Sequence, residues 1–306
     1  MTGHANERRH PVSTGGRILR RLVWTMAKVA GLPRRLDHGW PRFEGGPGKP
    51  GDQDARDIVL VHGFGVDGGT MLQLGRLLVG RHHVVIPDLP GFGEHAPRKS
   101  FHGGSGPGIE PFLESIDDLL DRMGIERPIL VGCSMGGAIV ANYAATRVDR
   151  PSGIVLIGPA GIEPPVDSEV FAAAKRDEHM LRVDDRASFD RIYELNFVKP
   201  PFMPGWMRKA IAKEAAPRAD EYESVLRSLE PVMLGGPDPY RSIRCPTEIV
   251  WGAQDRIIDP SAAPVWNEAI RDSRVTMIPQ AGHSTMVERP AEVAAVVERL
   301  IDRRRG

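Results

Sequence analysis

Short apolar runs recur along most of the chain, at residues 58–61, 84–86, 129–131, 154–157, 247–251 and 275–278. Each is too short for a helix of its own and reads as a strand buried on both faces. Between them, residues 71–79, 109–123, 261–270 and 291–301 place apolar side chains at helical spacing, and 138–145 is a helix-forming stretch. The 109–123 helix should stop at Gly124. Pro41 to Gly51 is rich in Gly and Pro and reads as turns joining two first strands. Strands alternating with helices imply right-handed crossovers and a mostly parallel sheet flanked by helices, an α/β fold.

After the sixth strand the alternation breaks. Residues 163–241 carry only helical patterns, at 170–175, 189–197, 206–215 and 222–229, punctuated by Pro164-Pro165, Pro200-Pro201, Pro204 and Pro217. An all-helical insertion between two strands has to sit above the sheet's carboxyl edge, where ligands bind. The segment is therefore read as a cap inserted in a core of residues 36–162 and 242–306. Its two apolar stripes are Phe189, Ile192, Tyr193 and Phe197, then Phe202, Met203, Trp206 and Met207. The second, with large adaptable side chains, is expected to face the site, so Phe202, Met203 and Trp206 are candidate substrate contacts together with Gly63.

The first 35 residues form a separate extension. Residues 1–16 are polar; over 17–32, Ile18, Leu22, Met26 and Val29 recur at helical spacing. Eight Lys or Arg up to Arg35 face one acid, Glu7, a surplus of seven. Such a helix can lie on an anionic membrane surface or dock its apolar face on the protein's own body. A secretory signal fits less well, because Lys28 interrupts the apolar part and no small-x-small cleavage site follows.

Composition narrows the partners. With 306 residues, 41% hydrophobic, the chain can bury a sizeable core. Forty basic residues balance forty acidic ones, which argues against a nucleic-acid binder. No apolar run approaches membrane-spanning length. Cys133 and Cys245 make no disulfide framework. No zinc spacing, phosphate loop or dinucleotide fingerprint occurs, so neither metal nor cofactor is expected. The picture is a cytoplasmic protein with peripheral membrane contact through residues 17–32; oligomeric state is not legible.

The chemistry gathers at strand ends. Gly132-Cys133-Ser134-Met135-Gly136-Gly137 joins a buried strand to a helix, the context that gives G-x-S-x-G its meaning as a sharp turn holding a serine hydroxyl out over a helix N-terminus. Ser105, in a Gly-rich loop, lacks that context, and Cys133 reads as a passive small residue. His62-Gly63-Phe64-Gly65 ends an earlier strand and can offer backbone N–H groups to an oxyanion; His62 is read as a buttress for that loop. Asp88 ends the next strand and is read as a loop brace, while Glu94 and His95 could line the entrance. Asp255 and His283 follow the last two strands. Ser134, Asp255 and His283, in that chain order, make a catalytic set: the imidazole takes the serine's proton and the carboxylate fixes the imidazole's tautomer. The oxyanion donors are assigned to the backbone N–H groups of Phe64 and Met135. Asp259 is a rival acid and His95 a rival base.

These residues, with Asp88-Leu89-Pro90-Gly91-Phe92-Gly93, Gly158-Pro159-Ala160-Gly161, Trp251-Gly252-Ala253-Gln254-Asp255 and Ala281-Gly282-His283 through Glu288-Arg289-Pro290, resemble the α/β-hydrolase superfamily. Within it the chain is most similar to the monoacylglycerol-lipase-like branch and its bacterial lipase and esterase relatives. The resemblance runs from about residue 55 to the C-terminus and implies an eight-stranded sheet and hydrolysis of fatty-acid esters. Glu94-His95 departs from the small serine usual after D-x-P-G-x-G. Similar haloalkane dehalogenases and epoxide hydrolases use an aspartate where this chain has Ser134. The leading expectation is a serine carboxylesterase or lipase for short-to-medium acyl esters or monoacylglycerols. Ring-fission-product hydrolases share Ser-Met-Gly-Gly and cleave a carbon–carbon bond; Arg182, Arg191 and Lys199 of the cap could hold the carboxylate they need. Cofactor-free haloperoxidases and a non-catalytic binding module on the same fold are the remaining readings.

Overall fold

A computed structural model describes residues 13–37, 39–47, 56–95 and 108–303. The polar residues 1–12 and the Gly-rich loop with Ser105 lie outside the described residues.

Helix α1 (Thr14–Val29) starts earlier than the apolar spacing suggests, because the Ser13 side chain accepts the Gly16 N–H and caps it. Two short strands follow, β1 (Arg34–Arg35) and β2 (Arg42–Gly45), then β3 (Asp57–Val61), α2 (Leu72–Leu78), β4 (His83–Pro87) and α3 (Glu110–Met123). Pro111 occupies the first turn of α3, and Gly124 ends the helix at φ 66°, a left-handed cap. Next come β5 (Ile129–Cys133), α4 (Met135–Thr146) and β6 (Gly153–Ile157). Four helices then run without a strand: α5 (Glu169–Ala174), α6 (Arg186–Leu195), α7 (Gly205–Ala215) and α8 (Ala219–Met233). The sheet resumes with β7 (Thr247–Gly252), α9 (Ala262–Ala269) and β8 (Ser273–Ile278), and the single turn α10 (Thr285–Glu288) leads into α11 (Pro290–Arg303).

The eight strands form one sheet in the order β1-β2-β4-β3-β5-β6-β7-β8. The β1–β2 and β2–β4 pairs are antiparallel, and every pair from β4 to β8 is parallel. Period-two alternation sends Ile58 and Leu60 to one face, where Leu74, Leu78, Val297 and Leu300 cover them. Val59 and Val61 go to the other, against Phe112, Ile116 and Ala138. Coverage on both sides accounts for the continuous apolar runs. The parallel strands also bring their carboxyl ends to one edge, and the candidate residues Ser134, Asp255 and His283 lie just beyond it.

Helix α1 docks with a face the apolar spacing did not mark. Gly16 and Ala27 are buried and Leu19, Val23 and Trp24 half-buried, whereas Ile18, Leu22, Met26 and Val29 point to solvent, Val29 being 86% exposed. The predicted stripe is thus not docked on the protein's body. Arg20 ties α1 to α7 through Glu214 (3.3 Å) and to the loop after β4 through Glu94 (3.4 Å). Among the described residues no helix is long and apolar enough to cross a membrane.

Candidate active site

Ser134 stands between β5 and α4 at φ 54°, ψ −119°, a backbone conformation that costs a non-glycine residue about 1–3 kcal/mol. Its surroundings hold it there. Its N–H donates to the Ile157 carbonyl (3.0 Å), and its carbonyl accepts from Ala138 (3.0 Å) and Ala160 (3.1 Å). The flanking glycines serve close approach: a methyl at Gly132 would lie 2.2 Å from the Gly136 carbonyl oxygen, and one at Gly136 would lie 2.4 Å from that of Val61. Strand β5, the turn and β3 therefore close tightly, and the positive φ falls on the serine itself.

Two strands across the sheet, Asp255 and His283 meet. His283 Nδ1 lies 2.7 Å from Asp255 Oδ2, with both side chains almost wholly buried. A carboxylate can only accept, so Nδ1 carries the proton and Nε2 keeps its lone pair. Asp255 Oδ1 accepts the N–H groups of Ile257 (2.8 Å) and Ile258 (3.0 Å), which fixes the carboxylate. Gly158, at the end of the intervening β6, borders both: a methyl there would be 3.3 Å from Asp255 Oδ2 and 3.5 Å from His283 Nδ1. Asp259 is turned away to the Ser261 N–H (2.9 Å).

On the other flank of Ser134 the loop after β3 comes close, since a methyl at Gly63 would be 3.4 Å from Ser134 Cβ. Phe64 follows Gly63 in this loop, and Met135 follows Ser134 as the first residue of α4. His62 is fully buried beneath this loop. Leu89 donates its N–H to His62 Nε2 (3.0 Å), so Nδ1 is the protonated nitrogen and donates to the Gly63 carbonyl (2.8 Å). Burial pushes the His62 pKa down, which keeps the ring neutral. Cys133 is buried as well, and burial, with the Asp255 charge adding to it, pushes its thiol up to about 12. That holds it as an inert thiol.

Asp88 accepts from Gly68 (3.0 Å) and Glu94 (3.0 Å) backbone N–H groups and pairs with the buried Arg34. Arg34 also binds Glu94 (3.0 Å). The glutamate that departs from the family's usual small residue therefore has a structural partner at each end, Arg20 of α1 and Arg34 of β1. His95 packs edge-on to Trp40, and its Nδ1 bonds the Asp88 carbonyl (3.0 Å).

A cavity of about 120 Å³ opens between the Phe64–Gly65 loop and the cap. Its walls are mostly apolar: Phe64, Val170, Met180, Leu181, Tyr222 and Leu226. One cation, Arg182, reaches it, and three carboxylates neutralise that charge: Glu223 (2.6 Å), Asp184 (2.8 Å) and Asp220 (2.8 Å). The second cap stripe, expected to contact substrate, lies elsewhere. Phe202 is 92% exposed, Trp206 47%, and neither they nor Met203 line the cavity. The reason is α7's orientation. Its Ala210 faces Gly15 in the first turn of α1, and Trp206 lies one turn earlier on nearly that same face of α7. The cavity walls come from α5 and the segment after it, with Val170, Met180 and Leu181, and from α8, with Tyr222 and Leu226. Both helices were legible, but nothing local distinguished their apolar residues from the stripe containing Trp206.

The alpha/beta hydrolase family matches residues 58–296, and the chain belongs to that family. It is similar to Lipase 1 of Psychrobacter immobilis, 29% identical over 80% of this chain and 76% of the relative. It is also similar to monoacylglycerol lipase abhd6-A of Xenopus laevis, at 29% identity over 82% of this chain and 76% of that one. Among solved structures, a bacterial membrane phospholipase A superposes with a TM-score of 0.85 at 27% identity, covering 95% of this chain and 93% of the other.

Proposed function

We propose that this protein is a serine hydrolase of carboxylic esters, short-acyl esters or monoacylglycerols, working through an acyl-enzyme on Ser134. The observation that carries the reading is the Asp255–His283 pair (2.7 Å) at the same sheet edge as the strained serine turn. In this reading Ser134 Oγ attacks the ester carbonyl carbon while its proton passes to His283 Nε2. The negative charge that develops on the carbonyl oxygen is received by the N–H groups of Phe64 and Met135, each such donor being worth about 3 kcal/mol. The carbon–oxygen bond then breaks, and the alcohol leaves with the proton from Nε2. Water, deprotonated by the same nitrogen, releases the acid and restores the serine.

The relatives named as lipases and monoacylglycerol lipases support an ester substrate. The cavity's mostly apolar walls, which include Phe64 but not Ser134, Asp255 or His283, support an apolar acyl group. Carbon–carbon hydrolysis of an anionic dienoate would need an available cation, and Arg182 is consumed by its three carboxylates. Arg191 and Lys199 are exposed and outside the cavity lining. The exposed α1 stripe, flanked by Arg17, Arg21 and Lys28, supports peripheral contact with an anionic membrane.

Turnover of p-nitrophenyl esters from acetate to dodecanoate tests the reading. Wild type should turn over short-to-medium acyl esters and react with a fluorophosphonate probe; Ser134→Ala should do neither. Equal turnover by the two proteins would reject it.

A further inference from the structure

Ser284, on one side of His283, is bonded directly to the cap, and Gly282, on the other, through Glu288. Ser284 donates its N–H to the Asn196 carbonyl (3.0 Å) and its hydroxyl to Asn196 Oδ1 (3.0 Å). Gly282 lets this segment close in, since a methyl there would be 2.8 Å from the Asn196 oxygen. Glu288, which ends α10, spans the junction. Its Oε2 accepts the Gly282 N–H (2.6 Å), and its Oε1 accepts those of Val198 and Lys199 (2.9 Å each) in the α6–α7 connection. Among the described residues no Lys or Arg pairs with it. One carboxylate thus binds the loop of the candidate base and the cap at once, with three charge-assisted bonds.

We infer that Glu288 is a positioning residue that couples the seating of the cap segment 196–199 to the placement of His283. The inference rests on the reading of His283 as the general base. The imidazole is fixed at its ring by Asp255, and the backbone flanking it is held by Glu288 at Gly282 and by Asn196 at Ser284. Lifting the cap segment removes the partners of Oε1 and Ser284, so the base loses its register as the cap opens. A filler of equal size would not do this. Glutamine at 288 offers one oxygen and one NH₂, and in either orientation sets a donor against a donor at one end of the clamp.

The test uses the full chain, p-nitrophenyl butyrate, and active sites titrated to completion with a fluorophosphonate. Glu288→Gln should lower kcat per titrated site about a hundredfold, the scale of a misplaced catalytic group, with a much smaller change in KM. Asn196→Ala, which loosens the cap side of the clamp and leaves Glu288 intact, should lower kcat per site in the same direction. A Glu288→Gln protein with fewer titratable sites but wild-type kcat per site would overturn the coupling and leave only a structural role. Wild type lacking Ser134-dependent turnover would overturn the hydrolase reading itself, and the coupling with it.

Discussion

A buried aspartate with three acceptor contacts does more for His283 than neutralise it. Asp255 takes two backbone N–H groups on Oδ1 and the imidazole on Oδ2, so rotating the carboxylate would break bonds at both ends. Asp255→Asn keeps the shape but presents an NH₂ to one of these donors, which selects the wrong imidazole tautomer. A loss of about 10⁴-fold in kcat with KM little changed is the expected outcome. Steady-state kinetics on a short-acyl ester measures it, and a loss under tenfold would argue against the assignment. The same logic of fixed tautomers applies at His62, where a bond to Leu89 and one to Gly63 leave no nitrogen free for catalysis.

At the scale of elements, α1 is the unusual piece. A helix that turned its Ile18, Leu22, Met26 and Val29 stripe inward would bury its longest apolar side chains. This one instead docks by Gly16 and Ala27, which allow close approach, and by the ion pairs of Arg20. The outward stripe and its bases then form a surface suited to anionic lipid. Ile18→Asp with Leu22→Asp should abolish co-sedimentation with phosphatidylserine vesicles while leaving turnover of a soluble ester intact. Unchanged binding would show that the surface serves another purpose. Phe202 and Trp206 of the cap, predicted to reach substrate, are also solvent-exposed and do not line the cavity.

The whole molecule separates its two sheet edges by task. The carboxyl edge carries the candidate chemistry; near the amino ends of β3 and β4, His83 bonds Asp57 (2.7 Å) and Glu44 (3.3 Å). Those bonds, Asp57's first, raise His83 to about 9, and the His83 bond foremost lowers Glu44 to about 2. The folded chain therefore holds the His83 proton where the unfolded chain, with a pKa near 6.5, has released it. The stabilisation is complete below about pH 6.5 and disappears as pH rises through about 9. The Glu44 contribution has the opposite sense: present above about pH 4.3, it is lost as pH falls toward 2. Thermal midpoints of wild type and His83→Gln should differ at pH 6 and converge above pH 9. A difference that persists at pH 10 would contradict the assignment of this cluster.

The linear order of residues determined the strand–helix alternation, the cap's place after the sixth strand, and the location of Ser134, Asp255 and His283 just beyond strand ends. These follow from backbone periodicity and from which residues tolerate a sharp turn, both local properties. Tertiary structure decided the rest: which stripe of α1 faces solvent, why Phe202 lies outside while Tyr222 lines the cavity, that Arg182 is spent on three acids, and that Glu288 joins the cap to the His283 loop. Each depends on contacts between segments far apart in the chain. An apolar stripe or a lone charge carries no local mark of what will be packed against it.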